Sequence, residues 1–187
     1  MKQQFMISAV GPNVVGIVAQ ISREIQACGC NFEDSGMNIL GDHFALMIRV
    51  TGEGQYLFDQ LSAACERLRQ NADFSFALFP LRPTTEGTLP QAPRPNYELK
   101  VKGTDKMGIV YRTSQLLASR GINIVNMQTI LTPSPNGEPP VFTMKSQIEV
   151  PESVDRENLR RDLDSLAEDL NDVISLKRIT DIEKWLR

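Results

Sequence analysis

The fold prediction rests on a repeated stretch, whose second copy reads Gly103-Thr104-Asp105-Lys106-Met107-Gly108-Ile109-Val110. The first copy begins at Gly11, 92 residues earlier. Without a gap, the repeat aligns Gly11, Asn13, Gly16, Ile17, Val18, Gly29 and Asn31 with Gly103, Asp105, Gly108, Ile109, Val110, Gly121 and Asn123. Because glycines and cap-type residues fix backbone shape, this repeat indicates two copies of one domain.

A proline-rich stretch separates the two copies. It contains Pro80, Pro83, Pro90, Pro93 and Pro95. Proline has no backbone donor, so this stretch cannot form a regular hydrogen-bond ladder and is typical of a semi-extended linker. We predict a first domain over residues 1–82, a linker over 83–95 and a second domain over 96–187.

The apolar pattern of the first copy predicts the element order βαββαβ. Strands are expected over residues 4–10, 31–40, 43–51 and 74–81, with a tight turn at Gly41-Asp42 between the second and third. Gly29 is placed to end the first helix. The two helical stripes comprise Val14, Ile17, Val18, Ile21, Ile25 and Cys28, then Leu57, Phe58, Leu61, Ala64, Cys65 and Leu68.

The second copy repeats this order. Its strands are expected over residues 97–102, 123–132, 141–150 and 173–179, and its first helix over about 107–120. Its second helix carries Leu159, Leu163, Leu166 and Leu170, and a proline-containing loop over residues 133–140 replaces the tight turn.

This order predicts an α+β fold class. Right-handed crossovers give two ferredoxin-like βαββαβ domains, each an antiparallel sheet with both helices on one face. The other sheet face stays open, which invites pairing or a partner, so we expect a homo-oligomer.

Composition excludes several classes of protein. The chain has 20 Lys and Arg residues against 23 Asp and Glu, a net charge of -3, and no basic footprint, so we expect no direct nucleic-acid binding. It has no apolar leader and no run of about 18 apolar residues, which predicts a cytoplasmic chain without a membrane segment.

The sequence also lacks catalytic and metal-binding patterns. The three cysteines fit no disulfide framework, and Cys28-Gly29-Cys30 has no second ligand pair, so packing roles are expected and no metal. His43 is the only histidine and has no nucleophile placed beside it. No P-loop or paired-carboxylate signature occurs either, so we expect no catalytic residues, no cofactor and no enzyme.

Both copies are similar to the D-x-x-G-(I/L) and G-x-N-I signature of ACT domains. The string Cys28-Gly29-Cys30-Asn31-Phe32-Glu33-Asp34-Ser35 more closely resembles the family of tandem-ACT glycine-cleavage-system transcriptional repressors. The resemblance implies a regulatory module that binds a small amino acid, such as glycine or serine, near the first strand-to-helix loop. It also implies a DNA-binding regulator as protein partner. Asn13 departs from the usual Asp, so the second copy is the better candidate for a ligand site.

The chemistry of the second loop suits a zwitterion. Unpaired N–H groups at a helix start attract a carboxylate, and Asp105 could accept from an ammonium. Asn123 could donate and accept if its strand begins beside that loop. The predicted ligand-binding residues are Gly103, Thr104, Asp105, Met107, Gly108, Ile109 and Asn123, with Asn13, Gly16 and Asn31 in the first copy.

Several alternatives remain open from the sequence. Asp105 and Asn13 could be only helix N-caps, and Gly16 and Gly108 could serve only close helix–sheet packing. The whole chain could be a ligand-free oligomerisation or interaction module. The acidic run Glu33-Asp34-Ser35 could contact a partner or, as is commoner, be a solvated strand end. Trp185 could cap the core, the favoured role, or anchor a partner.

Overall fold

The chain folds into two compact units, Met1–Leu89 and Pro90–Arg187. The computed structural model describes residues 2–71, 73–82, 94–134 and 138–179. Residues 83–93 of the predicted linker, residues 135–137 of the proline-containing loop and Trp185 lie outside the described residues.

The first unit contains four strands and two helices in the order βαββαβ. Its sheet is antiparallel throughout, with the strand order β2-β3-β1-β4. The elements are β1 (Lys2–Pro12), α1 (Ile17–Ala27), β2 (Asn31–Leu40), β3 (His43–Glu53), α2 (Leu57–Asn71) and β4 (Ser75–Leu81).

The second unit repeats the architecture with the strand order β6-β7-β5-β8, again antiparallel. The α+β fold class with two ferredoxin-like domains is therefore confirmed. The elements are β5 (Tyr97–Thr104), α3 (Ile109–Ser119), β6 (Asn123–Thr132), β7 (Val141–Glu149), α4 (Arg156–Leu170) and β8 (Val173–Arg178).

Helix α1 buries a narrower stripe than the sequence pattern predicts. Its buried residues recur every fourth position at Ile17, Ile21 and Ile25. Val14 and Val18 were predicted to belong to the stripe, but their side chains are 47% and 40% exposed. Val14 precedes the first helical residue and Val18 lies beside the buried row, so neither faces the sheet.

Glycine ends α1 as predicted. Gly29 adopts a left-handed φ of 71°, and its N–H donates to the Gln26 carbonyl at 2.9 Å. The next residue, Cys30, donates to Ile25 at 3.3 Å, which completes a Schellman motif. Gly121 ends α3 in the same way: its N–H donates to the Ala118 carbonyl, and the N–H of Ile122 donates to that of Leu117. The repeated glycine is thus a backbone requirement of the fold.

The two cores differ at one pair of equivalent positions. Ile21 on α1 and Ile48 on β3 are buried in the first unit. Thr113 on α3 and Ser146 on β7 take these places in the second unit, and both are at most 1% exposed. Neither hydroxyl has a hydrogen-bond partner among the described residues. At these two positions the second unit therefore buries hydroxyl groups where the first unit buries isoleucine side chains.

Candidate functional site

The loop between β5 and α3 is hydrogen-bonded to the segment that connects β6 with β7. The Asp105 N–H donates to the Pro140 carbonyl oxygen at 3.1 Å. In the first unit, the Asn13 N–H donates to the Asp42 carbonyl oxygen at 2.7 Å. Both strand-to-helix loops are therefore fixed at the end of the sheet where the second and third strands connect.

Glycine, and not Asp105 or Asn13, is the N-cap of each first helix. Gly108 and Gly16 occupy the cap positions with φ values of 93° and 90°, and neither helix has a side-chain cap hydrogen bond. The N-cap interpretation of Asp105 and Asn13 is therefore wrong. A Cβ on either glycine would meet nothing within 4 Å, so the close-packing interpretation is wrong too. The left-handed backbone is what selects glycine here.

The uncapped start of α3 offers hydrogen-bond donors to a ligand. First-turn N–H groups without a side-chain acceptor, together with the helix dipole, favour a bound anion. Thr104, Asp105 and Gly108 are exposed in this loop, and Met107 is 100% exposed. Asp105 has no ion pair or side-chain hydrogen bond within the described part of the chain. A donor group and a free carboxylate therefore occur in one short loop.

The equivalent loop of the first unit has different chemistry. Asn13 supplies an uncharged side chain, and Val15 is fully exposed where the second unit has Met107. The nearby turn holds Asp42 and His43, whose Oδ1 and Nδ1 atoms are 2.7 Å apart. The hydrogen bond from His43 lowers the pKa of Asp42.

Two residues outside the predicted set organise the second loop. Asp172, just after α4, has a fully buried side chain, and its Oδ1 lies 2.9 Å from Lys106 Nζ. The same ammonium donates to the Leu170 carbonyl oxygen at the end of α4. Asp172 also lies against Gly103, where a Cβ would be 1.8 Å from its Oδ1. Lys106 stands inside the repeated stretch, but no sequence signal connects it with Asp172.

The strand-start asparagines lie far from these loops. Asn123 pairs with Glu149 at one end of β7, whereas Thr104 pairs with Val141 at the other end. Eight residue steps along a strand span about 26 Å. Asn31 is separated from Asn13 in the same way, because it pairs with Thr51 near the far end of β3. The condition that the strand of Asn123 begin beside the Asp105 loop is therefore not met within the second unit.

The acidic run of the first unit is neutralised within its own sheet. The register shifts between Phe32 and Ser35, so residues 33–34 form a bulge in β2. Arg49 on β3 forms ion pairs with both acids, to Glu33 at 3.4 Å and to Asp34. Thr51 also donates to Glu33 at 2.9 Å. These contacts favour a structural role for the run over a free acidic surface.

Residues 3–77 match the family model described as ACT domain, and the second unit repeats the same fold. This match lies within the first unit and covers less than half of the chain. The glycine cleavage system transcriptional repressor of Escherichia coli (strain K12) is 24% identical to the chain over 166 residues, covering 89% of this chain and 85% of the repressor. The Shigella flexneri repressor gives the same values.

Two solved structures share the fold of both units. An unknown protein from Galdieria sulphuraria is 26% identical, with a TM-score of 0.74, and covers 96% of this chain and 100% of its own. A protein provisionally named glycine cleavage system transcriptional repressor is 23% identical, with a TM-score of 0.67, and the match covers 97% and 99% of the two chains. This second likeness concerns the fold. Among the described residues, no helix is long and apolar enough to cross a membrane.

Proposed function

We propose that this chain is a non-enzymatic cytoplasmic regulator that senses a small amino acid through residues 103–109 and controls transcription of amino-acid metabolism through a protein partner. The similarity to transcriptional repressors named for the glycine cleavage system supports the regulatory role and makes glycine and serine the first ligands to test. The DNA-binding step is assigned to the partner because the chain has a net charge of -3.

The observation that carries the ligand proposal is the uncapped start of α3 beside a free carboxylate. The ligand carboxylate accepts from first-turn N–H groups of α3, and Gly108 lets it approach because it has no side chain. The ligand ammonium donates to Asp105, which is exposed and unpaired among the described residues. The two charged ends of an amino acid thus meet complementary groups.

The second unit is the better candidate for the ligand site because its loop carries the charged side chain of Asp105. Asn13 occupies the place of Asp105 in the first unit and offers only an amide oxygen to an ammonium. Hydrogen bonds to a charged acceptor are roughly twice as strong as neutral ones. We therefore assign one amino acid to each chain, in the second unit.

Thermal unfolding with each common amino acid at millimolar concentration tests this proposal. A ligand that binds only the folded chain adds about 2.7 kcal/mol at 100 times its Kd. For a chain of this size, that free energy raises Tm by roughly 5–10 °C, less if the two units unfold separately. No shift with any amino acid would reject the sensing role.

A ligand-free oligomerisation module is the second candidate, and a surface of the first unit favours it. Val10, Met47 and Phe79 are 49%, 55% and 53% exposed on the sheet face that points away from the helices. Exposed apolar groups on one face are typical of an interaction site. Sedimentation velocity at tens of micromolar tests the predicted homo-oligomer, and a strict monomer would reject it.

A further inference from the structure

The open sheet face of the second unit carries four lysines, one of which, Lys177 on β8, lies opposite Glu98 in the β5–β8 register. Lys100 and Lys102 on β5 alternate with the buried Leu99 and Val101, so they point away from the helices. Lys145 on β7 follows the buried Met144 and lies on the same face. Lys100, Lys102 and Lys145 have no ion pair within residues 94–134 or 138–179.

Two of the lysines face each other across adjacent strands. Lys100 and Lys145 are direct partners in the β5–β7 register. Like charges directly opposite each other destabilise a sheet. In the first unit, the equivalent cross-strand pair is Ser8 and Met47. The fold therefore does not require the lysine pair, and the facing pair of lysines occurs in the second unit alone.

A polar groove of about 430 Å³ adjoins this pair. Asn126 and Gln128 on β6 and Gln147 on β7 line it together with Lys145, Ser146 and one carboxylate, that of Glu98 on β5. Their carboxamides donate and accept, as a peptide backbone requires, whereas the ammonium groups match carboxylates. We call Lys100, Lys102, Lys145 and these three carboxamides the lysine face.

We propose that the lysine face binds an acidic segment of a partner protein. This inference rests on the proposed function, because it assigns a surface to the protein partner named there. An acidic segment places carboxylates between Lys100 and Lys145 and removes their mutual repulsion. A nucleic acid is less suitable, because none of the lysine-face residues is aromatic and bases would have nothing to stack on.

Fluorescence anisotropy of the full chain with a fluorescein-labelled peptide of alternating Glu and Thr tests the inference. We expect binding at low salt that weakens as ionic strength rises. Lys100→Gln combined with Lys145→Gln should raise Kd about tenfold. The matched control removes the same charge from exposed helix positions through Arg23→Gln and Arg160→Gln, and should change Kd less than about twofold.

Folding and specificity are checked on the same samples. The lysine double variant should keep or raise Tm, because the like-charge pair is gone. Equal affinity of the double variant and the original chain would overturn the inference, as would an equal loss in the control. The inference would also be overturned, in favour of a nucleic-acid partner, if the chain bound an oligothymidylate more tightly than the peptide and the lysine double variant lost that binding. An amino-acid shift without peptide binding would reject the lysine face and leave sensing intact.

Discussion

Gly103 and Asp172 are packed so closely that a Cβ on residue 103 would lie 1.8 Å from Asp172 Oδ1 and 2.4 Å from its Cγ. The Asp172 side chain cannot withdraw into solvent, because it is fully buried and tied to Lys106. Gly103 therefore contributes close packing between the end of β5 and the chain after α4. This role does not depend on a ligand.

Gly103→Ala should lower the free energy of unfolding of the second unit by about 1–3 kcal/mol, because the new methyl group overpacks a fixed site. Gly36→Ala is the matched control, since Gly36 is also in a strand but its Cβ would meet nothing within 4 Å. Urea denaturation measures both variants. Equal effects of the two substitutions would contradict the assigned contact.

Lys106→Met should also destabilise the second unit, by about 1–3 kcal/mol, because it leaves the buried Asp172 carboxylate without its cation. Adding Asp172→Asn to Lys106→Met should recover part of the loss, since no buried charge then remains. A double-mutant cycle from urea denaturation gives the coupling energy. Additive losses would show that the two side chains do not interact.

Thr113→Val and Ser146→Ala should each raise the free energy of unfolding by about 1 kcal/mol, because each removes a buried hydroxyl without a partner and nearly keeps the volume. Thermal denaturation of both single variants and the double variant measures the gain. Ser175→Ala on the exposed side of β8 is a neutral control. A loss of stability would mean that the hydroxyls hold a hydrogen bond or a buried water.

Asp105→Asn and Asp105→Ala should both weaken amino-acid binding by about tenfold, because each removes the charge that accepts from the ammonium. Neither should lower Tm measurably, since Gly108 and not Asp105 is the helix cap. Calorimetric titration gives the affinity, and Asn13→Ala in the first loop is the control with unchanged affinity. Unchanged affinity in both Asp105 variants would remove this loop from the site.

The cysteine thiols should resist modification in the folded chain. Burial raises the pKa of Cys65 above its ordinary value of 9.0 and also raises that of Cys30. The stability that the neutral Cys65 thiol contributes is therefore complete below the unfolded pKa and is lost as pH rises through the folded pKa. A thiol-reactive dye at pH 8 should label Cys65 only after urea is added. Rapid labelling of the native chain at this residue would contradict the burial.

Local pattern was sufficient to predict the order of strands and helices and the role of Gly29. Strand alternation, helical spacing and the glycine C′ position all involve residues a few places apart. The contact between Gly103 and Asp172 was not predictable, because its partners lie at opposite ends of the second unit's sequence. The position of Asn123 was accessible in principle: β5 and β6 run in the same direction, so β6 starts at the end opposite the loop after β5.

The same locality explains the mistaken N-caps. An Asp or Asn shortly before an apolar helical stripe is the usual cap signal. Here the chain runs on for two or three residues and enters α1 and α3 through a left-handed glycine. The left-handed backbone conformation of the glycine determines which residue is the N-cap of each helix, and the sequence pattern alone does not give that conformation.

Because α3 has no side-chain cap, backbone N–H groups in its first turn have no side-chain acceptor. Its first intrahelical bond, from the Arg112 N–H to the Gly108 carbonyl at 2.8 Å, holds the turn from one side only. A ligand carboxylate would accept hydrogen bonds from these N–H groups as a capping side chain does. Ligand binding would therefore order the first turn of α3 locally and would not require a large movement. Amide hydrogen exchange at residues 109–111 would then slow on binding. The exposed side chains of Met107 and Tyr111 would become more ordered, and a protein partner could recognise that more ordered surface.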